Sequence, residues 1–226
     1  TLVKFLLILL FSVLFSSNTQ DFKLKQINNN HYSIEFSLEN NIEFLNKGEY
    51  TSITSSDGYT TIVGMPKLPM YSSMVMLDPT KKYEVSYEVK RSHIIDNIKV
   101  APNQRIIDGL EKKLISDIDN NFYSSEHTYP LVNVSLTEPM VMRDIVTSNI
   151  VVIPFKYTPS ENTLEVYESM DIHISEVGNR NDVKVRDLPK SRVFESIYQN
   201  EIINYNELSR DTDYQNPAIL YICSGS

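Results

Sequence analysis

Five side chains in this 226-residue chain are of types that act as nucleophiles, bases or soft metal ligands near neutral pH: His31, His93, His127, His173 and Cys223. No pair of them has the H-E-x-x-H spacing that lets one helix offer two imidazoles to a metal. His173 stands opposite in phase to Ile172 and Ile174 on an alternating run, which points it to solvent. His127 precedes Tyr129-Pro130 in a turn-like stretch and reads as structural. Cys223 would need a neighbouring base or a helix N-terminus to become a nucleophile. It ends the apolar run 217–223, where a small hydrophobe is the ordinary occupant. There is no glycine-rich phosphate loop and no G-x-S-x-G, and the 29 acidic residues are too scattered for a calcium cage. No catalytic constellation, metal site or cofactor is implied. What remains is basic side chains in loop-like surroundings: Arg105, Lys112 and Lys113 in one stretch, and Arg180, Arg186, Arg192 and Arg210 in another.

The elements that would position them are mostly strands. The runs 31–38, 83–90, 164–167 and 170–174 alternate apolar and polar residues, as half-buried antiparallel strands do. Residues 150–155 form a continuous apolar run, a central strand with Pro154 near its end or at a bulge. Turn signals separate the runs: Ser56-Asp57-Gly58, Asp78-Pro79 and Pro159-Ser160-Glu161-Asn162. Many short strands at this spacing predict a mainly β fold, an antiparallel β-sandwich. The stretch 106–121 departs from period two. Ile107, Leu110, Leu114 and Ile118 fall on one helical face, though Gly109 weakens a helix by about 1 kcal/mol. It reads as an irregular insertion with one or two helical turns.

The ends differ from the middle. Lys4, the apolar run 5–15 and the small polar residues 16–19 describe a secretory signal peptide. Eleven residues are too few for a membrane span, which needs about 20. Past Val177 a polar stretch leads to Phe194, Ile197, Tyr198, Ile202 and Tyr205 at three- and four-residue spacing, a predicted amphipathic helix over 191–205. The closing run 217–223 resembles the first strand of an α/β domain. The division expected is a signal peptide at 1–20, a sandwich at 21–178, a linker with a short helix at 179–216 and the start of a further domain at 217–226. The chain begins without Met and stops on an apolar run, so it reads as a piece of a longer precursor.

Composition excludes several classes. With 21 basic against 29 acidic residues the formal charge is −8, which argues against a nucleic-acid partner. One Cys excludes a disulfide framework within the chain and a Cys-based zinc site. Asn133-Val134-Ser135 is a formal glycosylation sequon, without meaning in a bacterial protein.

Several motifs then arrive in a set order: Gly64-Met65-Pro66-Lys67-Leu68-Pro69 (G-x-P-x-L-P), Val100-Ala101-Pro102-Asn103-Gln104, Tyr129-Pro130, Met142-Arg143-Asp144 and the strand 150–159. The ordered set, behind a signal peptide, resembles the propeptide of gingipain-type cysteine peptidases (the C25 family) over about residues 22–177. The usual arginine-glycine step stands here as Arg143-Asp144, a departure. Ile203-Asn204-Tyr205 and the strand 218–222 resemble the family's approach to its caspase-like catalytic domain.

The resemblance implies a zymogen. A β-sandwich propeptide would pack on its cognate catalytic domain and keep it latent through secretion. The family's catalytic His and Cys would lie downstream, so this stretch is not itself catalytic, and Cys223 matches no catalytic motif. Arg105, Lys112 and Lys113 are then candidates for a loop that enters the specificity pocket. Arg210, followed by Arg192, Arg186 and Arg180, are candidates for activating cleavage. The partners implied are the catalytic domain and the secretion machinery, with no membrane span beyond the signal. Two other readings stay open: a non-enzymatic secreted sandwich that binds carbohydrate or a cell-surface partner on its 14 Tyr, and a sorting peptidase component of a bacterial secretion system.

Overall fold

The structure is a computed structural model and describes residues 21–28, 31–38, 42–55, 58–107, 110–111 and 116–205. In chain order the strands are β1 (Phe22–Asn28), β2 (His31–Ser37), β3 (Glu43–Lys47), β4 (Tyr50–Thr54), β5 (Gly58–Tyr59), β6 (Pro69–Leu77), β7 (Lys81–Ile95), β8 (Ile106–Ile107) and β9 (Leu110–Glu111). After the short helix α1 (Asn120–Tyr123) come β10 (Val134–Leu136), β11 (Met140–Met142), β12 (Ile145–Val152), β13 (Phe155–Thr158), β14 (Thr163–Asn179) and helix α2 (Arg192–Glu201). The signal-peptide stretch, Lys112, Lys113, Arg210, Cys223 and the strand expected at 217–223 lie outside the described residues. Among those described, no helix is long and apolar enough to cross a membrane.

Two antiparallel sheets face each other, as the alternation predicts. β14 organises the first. β7 runs along one of its edges from Leu164↔Ile95 to Asn179↔Lys81. β13 and β2 share the other edge, and β1 lies outside β2. The runs 164–167 and 170–174 are therefore one strand and not two. A register shift around Ser169 breaks the alternation between them, the signature of a β-bulge. In the second sheet β12 pairs with β6 on one edge and with β10 and β11 on the other. The core forms where the inner faces meet. Ile34, Phe36, Met170, Ile172 and Ile174 come from the first sheet, and Val75, Ile150 and Val152 from the second, all fully buried. Each such side chain contributes about 1.5–3 kcal/mol by leaving water.

Sheet two is apolar on its outer face as well. Met74, Met76, Met142 and Ile145 pack against Phe194, Tyr198 and Ile202 of the α2 region, which forms a third layer. The helix spans Arg192–Glu201 and so stops short of the predicted 205. Ile202 turns to extended backbone, which frees the following residues to run beside β6.

Proline explains the break after β12. Pro154 has no N–H, and the apolar run 150–155 divides there into β12 and β13. The buried amide of Asn133 donates to the carbonyls of Ile153 at 2.7 Å and Phe155 at 2.8 Å, on either side of it. The sequon asparagine is thus a buried brace, with its amide nitrogen occupied.

Charges line the outer face of sheet one. Asp171 accepts from Lys25 Nζ at 2.7 Å and lies 3.5 Å from Lys90 Nζ. The hydrogen bond from Lys25, aided by both positive charges, holds the Asp171 carboxyl below its ordinary range. The folded state therefore binds that proton less tightly than the unfolded chain does. This contribution to stability is complete above the unfolded carboxylate value of about 3.9 and is lost as pH falls through the lower folded value. In urea unfolding at a series of pH values, stability is expected to decline below about pH 4, with a shallower decline in Asp171→Asn. An unchanged slope in that variant would show that the pair makes no such contribution.

Candidate functional site

One loop leaves the sandwich from an unusually well-built base. Residues 64–69 and 98–104 run side by side there, joined by a Pro66↔Pro102 bridge and by Lys67 N–H donating to Ala101 O at 2.8 Å. These are two of the motifs that set the family resemblance. Gly64 donates to Asn103 O at 2.9 Å and accepts from Asp119 N–H at 3.1 Å. Its φ is +84°, and a Cβ would lie 2.9 Å from the Asp119 nitrogen, so only glycine fits. Pro66, Leu68 and Pro69 are buried. Thr60 Oγ1 donates to Pro66 O at 2.9 Å and accepts from Leu68 N–H at 3.1 Å.

The side chain of Gln104 closes the base. It is buried, and its amide uses all four of its hydrogen-bonding positions. Nε2 donates to Pro102 O and Asp117 O, each at 3.0 Å. Oε1 accepts from Ser116 N–H at 2.8 Å and Asp117 N–H at 3.0 Å. Arg105 N–H adds a bond to Asp117 Oδ2 at 3.1 Å. The two feet of the loop, 104–105 and 116–117, are thereby held together as if by a strand pair.

Just downstream, Asp119 caps α1 by accepting from Phe122 N–H at 3.0 Å, and Phe122 enters the core. Tyr123 donates to Val100 O at 2.7 Å. Burial pushes its phenol well up, so it remains a neutral donor. Tyr129 packs edge-on against Phe122, ring centroids 6.0 Å apart, and is followed by a cis peptide to Pro130.

Between its feet the loop carries Arg105, Ile106 and the β8–β9 pairing, Ile106↔Glu111 and Ile107↔Leu110. Within the stretch 106–121, read as an irregular insertion with one or two helical turns, the helical spacing does not hold at its described start. The described part of 106–111 pairs as a hairpin, and α1 supplies a single helical turn at 120–123. Adjacent β-branched Ile106 and Ile107, with Gly109 nearby, disfavour a helix locally. Arg105 and Ile106 are exposed, Ile106 by 69%. Arg105, Val63, Gly64 and residues 116–121 line a shallow groove of about 570 Å³.

The cleavage candidates fall into different settings. Arg180 makes a two-point bond to Asp182, at 2.9 and 2.7 Å, and its N–H donates to Thr80 O at 2.7 Å. Arg192 begins α2. Arg186 is exposed in residues 181–188, which form neither helix nor strand.

Beyond that strap the chain docks on sheet two. Arg143, at φ +56° in the β11–β12 turn, donates from Nη2 to Pro189 O at 2.9 Å and lies over the Phe194 ring at 5.2 Å. Its neighbour Asp144 accepts from Tyr198 OH at 2.7 Å. Ile203 N–H donates to Met74 O at 2.9 Å, and the Asn204 amide bonds both Met76 N–H (2.7 Å) and Met76 O (2.8 Å). Gln104, Asn204 and Asp144 each lie within a motif that carries the resemblance, but nothing in the sequence shows the partners of an amide or a carboxylate.

The histidines make no catalytic set. His93 Nδ1 lies 2.8 Å from Glu168, His127 is exposed, and half-buried His173 stacks on His31 with ring centroids 5.2 Å apart. Among the described residues no cluster of three or more His, Cys, Asp or Glu could hold a metal. Tyr50, Tyr71, Tyr129, Tyr157, Tyr167 and Tyr198 are buried, which removes them from any sugar-binding platform.

Comparison with known proteins agrees with this architecture. Gingipain R1 of Porphyromonas gingivalis is 26% identical over 145 residues, 63% of this chain and 14% of that protein. Gingipain R2 of the same species is 25% identical over 147 residues, 63% of this chain and 20% of that protein. The chain thus spans a small part of the length of these relatives. The solved complex of Porphyromonas gingivalis RgpB pro- and mature domains matches with a TM-score of 0.67 at 21% identity, covering 82% of this chain and 96% of that one. A structure addressing zymogenic latency of gingipain K from the same species matches with a TM-score of 0.57 at 15% identity, covering 73% and 96%. These two likenesses bear on the fold, and both agree with the sandwich. The family model Propeptide_C25 matches residues 18–212, which takes in the sandwich, the pinned loop and the docked helix. The chain belongs to the C25 propeptide family.

Proposed function

We propose that this chain is a secretory propeptide that keeps a gingipain-like cysteine endopeptidase latent until a linker is cut. Family membership supports the reading, as do the subjects of the two matching structures, a pro- and mature-domain complex and zymogenic latency. The observation that carries it is the loop fixed at both feet by Gln104. A segment that enters a peptidase cleft as an inhibitor must be ordered beforehand, because ordering on binding subtracts from affinity. It must also resist springing open if it is nicked. A base built from a buried amide and two paired motif segments meets both needs.

In this reading Arg105, Lys112 and Lys113 supply the basic side chain for a specificity pocket selective for Arg or Lys. The exposed apolar Ile106 beside Arg105 adds contact area at the same edge. Covalent tethering raises the local inhibitor concentration to around millimolar, so modest intrinsic affinity suffices. The peptidase chemistry belongs to the downstream domain, and Cys223 has no part in it. Export through the signal stretch would place the precursor outside the cell or at its surface. Activation is proteolysis between the sandwich and the catalytic domain. Arg210 is the first choice, and Arg186 is the candidate within the described residues that is exposed outside helix and strand.

The chain, produced separately, is expected to inhibit the catalytic domain of its precursor. Combined replacement of Arg105, Lys112 and Lys113 by Ala should raise the inhibition constant at least thirtyfold, the effect of losing an anchoring contact worth about 2 kcal/mol. Unchanged inhibition would reject the loop as the blocking element. Gln104→Ala leaves all three basic side chains in place but removes the brace. It is expected to weaken inhibition about tenfold, with faster amide exchange at Ser116 and Asp117. Full inhibition by a loosened loop would show that its order is irrelevant.

A further inference from the structure

The docked tail is more than a connector, and its contacts set what a cut upstream of it can accomplish. Residues 181–188 hang between two fixed points. At one end Arg180 N–H is bonded to Thr80 O; at the other the Pro189 carbonyl is bonded to Arg143. Asn181, Asp182, Lys184, Arg186 and Asp187 are exposed along this strap, the setting in which proteases nick folded proteins. The segment that follows is held by sheet two through three independent kinds of contact. Tyr198 and Ile202 are 0% and 4% exposed and pack with Met74, Met76 and Ile145. Tyr198 OH bonds both Asp144 Oδ1 and Met142 O. Ile203 and the Asn204 amide continue along the edge of β6 as an added strand would, with Met74↔Ile202 in parallel register. None of these contacts involves the strap.

We infer that residues 189–205 are a separable ligand of sheet two, and that cleavage in the 181–188 strap leaves the sandwich bound to its own severed tail. The binding surface is the Met74–Met76 stretch of β6, on the edge away from β12 and beyond the β5 pairing at Pro69 and Met70, together with the β11–β12 turn. The occupant is a short amphipathic helix followed by an extended Ile-Asn. Its consequence is regulatory. A cut at Arg186 converts a covalent tether into a non-covalent clasp, and the sandwich departs only after the clasp opens or the chain is cut beyond Tyr205. The clasp rests on contacts within this chain and holds whether or not the 105–116 loop blocks a peptidase, while its regulatory consequence rests on the proposed function.

The test uses the full chain with a site-specific protease sequence in place of residues 183–187. After complete cleavage, seen on a denaturing gel, the two pieces are expected to elute together by native size exclusion and to appear as one species in native mass spectrometry. Asn204→Ala and Tyr198→Phe in the cleavable chain should each speed dissociation of the pieces about tenfold, as loss of buried hydrogen bonds does. Both variants retain the apolar face of α2, so they separate loss of these contacts from loss of folding, which circular dichroism of the uncut variants checks. Separation of the unsubstituted pieces on cleavage would overturn the inference. So would equal dissociation rates in both variants and the unsubstituted chain.

Discussion

A strand of seventeen residues exposes two long rows of backbone donors and acceptors, and β14 has partners along most of both rows. β7 satisfies one edge over nearly its whole length, while β13 and β2 divide the other. The bulge around Ser169 lets the strand bend between these two partners. Once sheet one is assembled in this way, its buried row of Leu164, Val166, Met170, Ile172 and Ile174 requires a cover, and sheet two supplies it. Sheet two is itself apolar on both faces and requires a second cover. Helix α2 meets that need. The packing demand thus passes from β14 outward through both sheets to the tail, which explains why residues past the sandwich are structured at all.

The loop and the tail use the same device. In each, a buried side-chain amide stands in for a strand: Gln104 joins the feet of the loop, and Asn204 extends the edge of β6. An amide offers donors and acceptors together, so it can pair with backbone without leaving an unsatisfied group in the interior. A third, Asn133, braces the chain around Pro154. Each fixes a segment that regular strand pairing does not reach. For the proposed inhibitory role this has a use, because parts that would meet a catalytic domain must project from the sheets and still keep their shape.

The half-buried strands were legible because alternation records which face meets the core, as in 31–38 and 170–174. The β-sandwich and the family resemblance followed from those strands and from the ordered motifs. Where alternation was interrupted by a bulge, one strand read as two. In 106–121 the apolar spacing of Ile107, Leu110, Leu114 and Ile118 fits a helix, yet the hairpin register won over its described part. The helix at 191–205 was legible from its apolar stripe, but its early end was not, because it depends on the distant edge of β6. The roles of Gln104, Asn133 and Asn204 left no periodic trace, since a buried amide is chosen for partners far away in sequence. The motif G-x-P-x-L-P could be seen as a pattern; that Gly64 is needed against Asp119 emerges only in three dimensions.

In the function we propose, the end of the sandwich built on Gln104 meets the catalytic domain. Amide hydrogen exchange of this chain, free and bound to that domain, tests it most directly. Added protection is expected at residues 105–107 and 116–121, with rates in β1 unchanged. Protection confined to β1 and the outer edge of sheet one, with none in the loop or its feet, would contradict it.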